Sequence, residues 1–326
     1  MVEIDSHPSV ESRALDENAI QSLRTNRIEP KFLYLTSTQA EWWRQVFLRH
    51  SPIHGNPEFS RIYEEAFAKT ADQLRARKIF LAGLGCGTGL KERELFSSLR
   101  TRDIDAQFAA IDVSRDLVIE SVQRLVQAGA THHRSLVCDL AEVKFLGDWL
   151  GAATGDLSRV ITFFGLFPNF APSAIMKLFR AVLRPSDVLL ASAHLAPLRN
   201  ENRDEIPAAM KTVLPQYDNP ETLAWLAAAL ESWNLQELVQ PPEMKIGEIE
   251  GIPAFIAESR WKSNEPFERW GHRFSPDREN PLTLFHSLRY TPVLFESLLR
   301  REGFQIELLS TTSCREEAIW SIRIAC

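Results

Sequence analysis

Between Lys78 and Leu195 two kinds of hydrophobic pattern alternate along the chain. Five short apolar runs, "KIFLAGLG", "QFAAIDV", "RSLVCDL", "RVITFFGLF" and "DVLLASAHL", have the length and content of buried strands. Among them lie "SRDLVIESVQRLVQAG" and "PSAIMKLFRAVLR", whose apolar residues recur at helical spacing. Such alternation predicts an α/β fold, a parallel sheet wrapped by helices.

The flanks follow other patterns. Residues 1–29 read as a polar tail with one short helix. In 30–77, Thr36 or Ser37 can cap a helix carrying Trp42, Trp43, Val46 and Phe47. A second helix places Phe59, Ile62, Tyr63, Phe67 and Leu74 near one face. After Leu195 the alternation stops. "NPETLAWLAAALESWNLQEL" is helical, while "EMKIGEI" and "PAFIAESRW" are strand-like. "TPVLFESLLRREGF" then resumes the α/β character, and "FQIELLSTT" and "AIWSIRIA" read as a closing strand pair. The expected layout is a doubly wound core over 78–195, an inserted α+β lobe over 196–288, and a core-completing segment over 289–326. The helical part at 30–77 is expected to join the inserted lobe.

Composition changes this picture little. The chain has 326 residues, 44% hydrophobic and 25% charged, which is ordinary for a globular protein. A net charge of −6 gives no basic field for phosphates and argues against nucleic acid as partner. Cys86, Cys138, Cys314 and Cys326 stand singly, so neither a zinc site nor a disulfide framework is suggested, and a reducing cytoplasm fits. The polar N-terminus does not read as a signal peptide, and no apolar run reaches the roughly 18 residues of a membrane span. Tandem His132-His133 reads as a solvated turn, with no third metal ligand nearby.

The chemistry begins at "IFLAGLGCGTGLKERELF", with Gly83, Gly85, Gly87 and Gly89 at alternate positions after the first strand. A dinucleotide fingerprint needs a glycine where Thr88 or Leu90 stands. A triphosphate loop needs Gly-Lys-Ser/Thr, but Lys91 lies between Leu90 and Glu92. What remains is G-x-G-x-G, which resembles the loop of Rossmann-like methyltransferases that use S-adenosylmethionine (SAM). Glycines let the backbone approach a ligand with no Cβ in the way. Asp112 ends the second strand, where a carboxylate can accept both ribose hydroxyls. Asp139 ends the third, placed for the adenine amino group. Ligands in such sheets sit beyond the carboxyl ends of the strands at the switch point.

From about Pro30 onward, scattered blocks are similar to a narrower family, the histidine Nα-methyltransferases of ergothioneine biosynthesis. "EPKFLY" resembles its Pro-Lys-x-x-Tyr block, with Tyr34 as the tyrosine. "GLGCGTGLKERELF" resembles its loop, whose lysine contacts the SAM carboxylate; here that is Lys91. "AIDVS" and "CDL" match its acidic positions at Asp112 and Asp139, with Leu140 following. "FFGLFPNF" resembles the block holding Gly165 and the asparagine that grips the substrate's amino-acid backbone, here Asn169. "PQYDNPETLAWL" matches a Tyr-Asp pair at Tyr217 and Asp218. "FHSLRY" resembles its Ser-x-(Lys/Arg)-aromatic segment at Ser287, Arg289 and Tyr290.

The resemblance implies a class I SAM-dependent methyltransferase core with an inserted substrate-binding lobe. It also implies N-methylation of a small amino-acid-like substrate. Gly83, Gly85, Gly87, Lys91, Asp112, Asp139, Leu140 and Gly165 are then expected to hold the cofactor. Tyr34, Asn169 and Tyr217 are expected to hold and align the substrate, with Phe285 and Ser287 at its side chain. Two positions depart from the family. "SPIHGNP" replaces its tyrosine-rich segment, with His54 as the candidate substitute. Phe285 stands where histidine-specific members carry a glutamate, which points to an apolar or aromatic substrate unless His286 takes that place. The competing readings are a methyltransferase of nucleic acid or protein, and a SAM-fold protein that binds without turnover. Enzymes that methylate exocyclic base nitrogens usually carry Asp/Asn-Pro-Pro-aromatic after the fourth strand, where this chain has "GLFPNF".

Overall fold

The computed structural model describes residues 3–198 and 203–325. Its main sheet begins with β1 (Asp5–Ser6), β2 (Lys78–Leu84), β3 (Asp105–Asp112), β4 (His133–Val137), β5 (Ser158–Phe164) and β6 (Val188–His194). A smaller antiparallel sheet follows, built from β7 (Glu243–Ile249), β8 (Ile252–Ser259) and, beyond a short hairpin of β9 (Phe267–Arg269) with β10 (His272–Phe274), β11 (Leu282–Leu288). β12 (Phe304–Thr311) and β13 (Glu317–Ile324) return to the main sheet, whose order is β1-β4-β3-β2-β5-β6-β13-β12. All its pairings through β6 are parallel; β13 runs antiparallel between β6 and β12. The chain leaves β2 to one side for β3 and β4, then returns to the other for β5 and β6. The order therefore reverses at β2 and β5, which opens a crevice beyond their carboxyl ends.

Helices α1 (Ser12–Arg24), α2 (Ser37–His50), α3 (Pro52–Gly55) and α4 (Pro57–Gln73) precede β2. Thr36 caps α2, and Gln39 completes a reciprocal capping box. In the core, α5 (Leu90–Arg100) and α6 (Arg115–Gln127) join α4 on one sheet face, burying Phe67, Leu95 and Val122. On the other face, α7 (Val143–Thr154) and α8 (Pro172–Val182) bury Leu146, Leu150 and Phe179. The remaining helices are α9 (Ile206–Val213), α10 (Pro220–Ser232) and α11 (Pro292–Arg301). Strands buried on both faces need continuous apolar runs, and each of the five read from the pattern lies on a core strand.

The first 29 residues are not the polar tail expected. β1 extends the sheet edge beside β4. Ala19, Ile20 and Leu23 on one face of α1 join Trp225, Leu226 and Phe285 in a third apolar cluster. The segment reads as polar on average because its other faces are solvated. Its single apolar stripe is what a mean over composition hides.

Candidate functional site

The turn from β2 into α5 shapes the floor of the crevice. Gly85 and Gly87 both have positive φ, at 62° and 52°. A Cβ on Gly85 would run into the Leu166 side chain, and one on Gly87 would come within 2.9 Å of the Trp43 ring. The loop therefore presents bare backbone to the crevice. The Gly87 amide donates to Asp112 Oδ2 at 3.0 Å, and the Ser114 amide to Oδ1 at 2.9 Å. Burial pushes the Asp112 carboxyl up, while these backbone donors oppose that shift. A carboxylate offers about four acceptor positions, so capacity remains for a diol.

Beyond the loop lies a cleft in two adjoining halves. The outer half, about 250 Å³, is lined by Asp112, Asp139, Leu140 and Lys31 among others. The deeper half, about 200 Å³, is lined by Lys91, Gly165, Tyr217, Phe285 and His194 among others. Tyr34, Trp43, Gly85, Gly87, Leu166 and Asn169 border both. Asn169 closes a short 3-10 turn, and the cap position of α8 is Ala171, so the asparagine is not consumed in helix capping.

Asp139 lies two residues past the end of β4 and is already engaged. Its Oδ2 accepts from Lys31 Nζ at 2.5 Å and its Oδ1 from the Ala141 amide at 2.9 Å. Burial would depress the Lys31 ammonium, but Asp139 and Glu29 outweigh it and hold it above the usual lysine value. Lys31 was visible only as part of the "EPKFLY" block. Its partner stands 108 positions away, and only the fold brings the two together.

Lys91 sits at the opposite end. Its Nζ donates to Tyr63 Oη at 2.6 Å, lies 3.8 Å from Glu317 Oε1, and packs over the Tyr63 ring. Burial lowers the ammonium, against the pull of Glu317 and Glu92. Tyr63, read as a core aromatic, also reaches Glu317 and Ser192 through its hydroxyl. Neither Tyr63 nor Glu317 carries a sequence signal for a site, because their chemistry depends on β13 lying beside β6.

Glu92 lines the deeper half and accepts from Thr162 Oγ1 at 2.8 Å. Burial raises it from 4.5 to about 7, against the Thr162 hydrogen bond and Lys91. A folded pKa above the unfolded one favours the protonated acid. The associated stability is thus complete below the unfolded value and lost as pH rises through about 7. The loss is on the order of 3 kcal/mol. Unfolding midpoints measured from about pH 5 to pH 8 should fall, and Glu92→Gln should flatten the decline. An equally steep decline in the variant would remove Glu92 as its cause.

Several expected positions lie elsewhere. Gly83 lies within β2 behind the loop, facing Cys86 and Glu92, and lines neither half. Ser287 is buried on β11 but borders neither half, and Asp218 is exposed. His54 packs edge-on against Phe47 at 4.8 Å and does not line the cleft; His50 does, with its Nε2 3.0 Å from Glu221. The register on β11 is decided by strand alternation. Phe285 lines the deeper half, whereas His286 meets the Arg27 guanidinium outside it. Phe285 stacks with Tyr217 at 6.4 Å and meets the Trp225 ring edge-on at 5.7 Å. Arg289, buried behind them, lies over the Tyr217 and Phe255 rings at 4.8 Å.

A crevice at the switch point, a glycine loop with bare backbone, and carboxylates at two successive strand ends suit an adenosyl group. An ammonium at the far end suits a carboxylate. This fold and crevice define a class I SAM-dependent methyltransferase. The family described as "Histidine-specific methyltransferase, SAM-dependent" matches residues 16–212, and the chain belongs to that family. No curated protein matches the chain. Among solved structures, it is similar to the magnesium protoporphyrin IX methyltransferase of Synechocystis, at 12% identity over 89% of this chain and 95% of that one, with a TM-score of 0.45. A protein from Pyrococcus horikoshii is 13% identical over 86% and 98%, with a TM-score of 0.46. The sugar N-methyltransferase of a Streptoalloteichus species is 12% identical over 87% and 93%, with a TM-score of 0.41.

Proposed function

We propose that this chain methylates the amine nitrogen of a small amino-acid-like molecule whose side chain is apolar or aromatic. The observation that carries the reading is that Tyr34, Asn169, Tyr217 and Phe285 all border the deeper half of the cleft, together with the glycine loop. Bound SAM supplies a methyl group on a positively charged sulfur, already a strong electrophile. The protein's main task is then alignment, since a well-held nucleophile needs little further activation.

In this reading Asn169 and Tyr217 hold the substrate's carboxylate and amine end. Burial raises the Tyr34 phenol, with the Asp112 carboxylate adding to the effect. Tyr34 stays protonated and serves as a donor toward the amine or a bridging water. Lys91 holds the cofactor's carboxylate, Asp112 its ribose and Asp139 the adenine edge, with Leu140 and Gly165 beside them. The lobe over 196–288, joined by the helices of 30–77, serves as the substrate lobe. Its contribution to the cleft includes Tyr217, Trp225 and Phe285. The partner is a small molecule, and nucleic acid is not expected to bind an acidic chain with this cleft. No helix among the described residues is long and apolar enough to cross a membrane, which is compatible with the cytoplasmic setting the sequence suggests.

Incubating the purified protein with SAM and each amino acid in turn should give a mass gain of one, two or three methyl groups on at least one of them. No gain on any amino acid, with methyl label appearing on protein or nucleic acid instead, would reject the reading.

A further inference from the structure

His194 is the last residue of β6 and borders the deeper half. Antiparallel register places it directly across from Glu317 on β13, which brings side chains on one face to within about 5 Å. Its Nδ1 is buried with no hydrogen-bond partner among the described residues. Nε2 is therefore the ring nitrogen available to a molecule in the cleft. His194 is half-buried, but its Nδ1 is buried without a partner, and an idle buried nitrogen costs stability, which makes it a poor candidate for mere filler.

We propose that His194 Nε2 accepts a hydrogen bond from the substrate amine and so turns the nitrogen lone pair toward the methyl group to be transferred. This rests on the amine-methylating reading. The attacking nitrogen has one lone pair, which must face the methyl carbon. Its N–H groups must point elsewhere, and an acceptor beside them fixes rotation about the carbon–nitrogen bond. As the nitrogen–carbon bond forms, the carbon–sulfur bond breaks and sulfur keeps that electron pair. The methylated nitrogen then sheds its extra proton to solvent.

An imidazole accepts only when neutral, and the surroundings keep it so. Burial lowers His194 to about 4; Glu317 opposes the shift, while Arg289 and Lys91 add to it. Burial would raise Glu317, but the Lys91 ammonium and the hydroxyls of Tyr63 and Ser192 outweigh it and hold the carboxylate ionised. Tyr63, from α4, completes the surroundings through its bond to Glu317.

The number of N–H bonds on the ligand separates this role from a structural one. Phenylalanine has N–H bonds to donate, whereas its N,N,N-trimethyl derivative has none in any protonation state. With S-adenosylhomocysteine present, calorimetry should show His194→Ala weakening phenylalanine about tenfold. Binding of the trimethyl derivative should stay unchanged. His194→Gln, which keeps an acceptor, should recover most of the loss and guards against a folding defect in the alanine variant. Equal weakening of both ligands, or of neither, overturns the role of His194. Failure of the wild type to bind phenylalanine, tyrosine or tryptophan overturns the aromatic-amine reading itself, before His194 is tested.

Discussion

Replacing Asp112 with alanine should lower SAM affinity about ten- to a hundredfold, the equivalent of roughly 1.5–3 kcal/mol. Two contributions combine. In the proposed site the carboxylate is the acceptor for the ribose diol, and it also receives the Gly87 amide of the glycine loop and the Ser114 amide. Asp112→Asn weakens both without removing either entirely. An amide keeps one acceptor oxygen but loses the charge, so its affinity should fall between wild type and alanine. Calorimetric titration with SAM reads the result, and an unchanged dissociation constant in the alanine variant would remove Asp112 from the cofactor site.

Free histidine should be a poor substrate compared with phenylalanine, tyrosine or tryptophan. The family description names histidine, so this outcome would mark the chain as a member with altered specificity. The reason is local. Phe285 borders the deeper half of the cleft, and His286 points away toward Arg27. Where relatives offer a carboxylate to an imidazole N–H, this chain offers a ring face flanked by Tyr217 and Trp225. Ser287, which could have satisfied one ring nitrogen, does not border the cleft. A buried imidazole would leave polar atoms unpaired at a cost of about 1–3 kcal/mol, roughly five- to a hundredfold in specificity. Aromatic side chains gain contact area in the same place. Comparing kcat/KM for the four amino acids tests the order. Efficient turnover of histidine by the wild type, with no gain from Phe285→Glu, would defeat this account.

Much of the fold was legible in the chain because the main sheet is buried on both faces. Its strands must be short, apolar and separated by amphipathic helices, and that requirement leaves a local record. The pattern revealed less where burial is one-sided or the element short. β11 was read only as part of a motif, and β1 was read as tail. α7 was not read from the pattern, although Leu146, Leu150 and Thr154 bury one face of it.

The sequence by itself determined the glycine loop, the acidic residues near two strand ends, and the departure at Phe285. Each is a property of a few consecutive residues whose chemistry is set by the turn or strand end they occupy. Only the tertiary structure decided that Lys31 pairs with Asp139, and that Tyr63 and Glu317 surround Lys91. The same holds for His194 facing Glu317, and for the choice of Phe285 over His286 at the cleft. These are long-range juxtapositions, created when β13 inserts beside β6 and when β11 takes its register on β8. A strand's side chains alternate between faces, so a shift of one residue exchanges cleft for exterior. No local spacing encodes which face wins; packing of the completed sheet does.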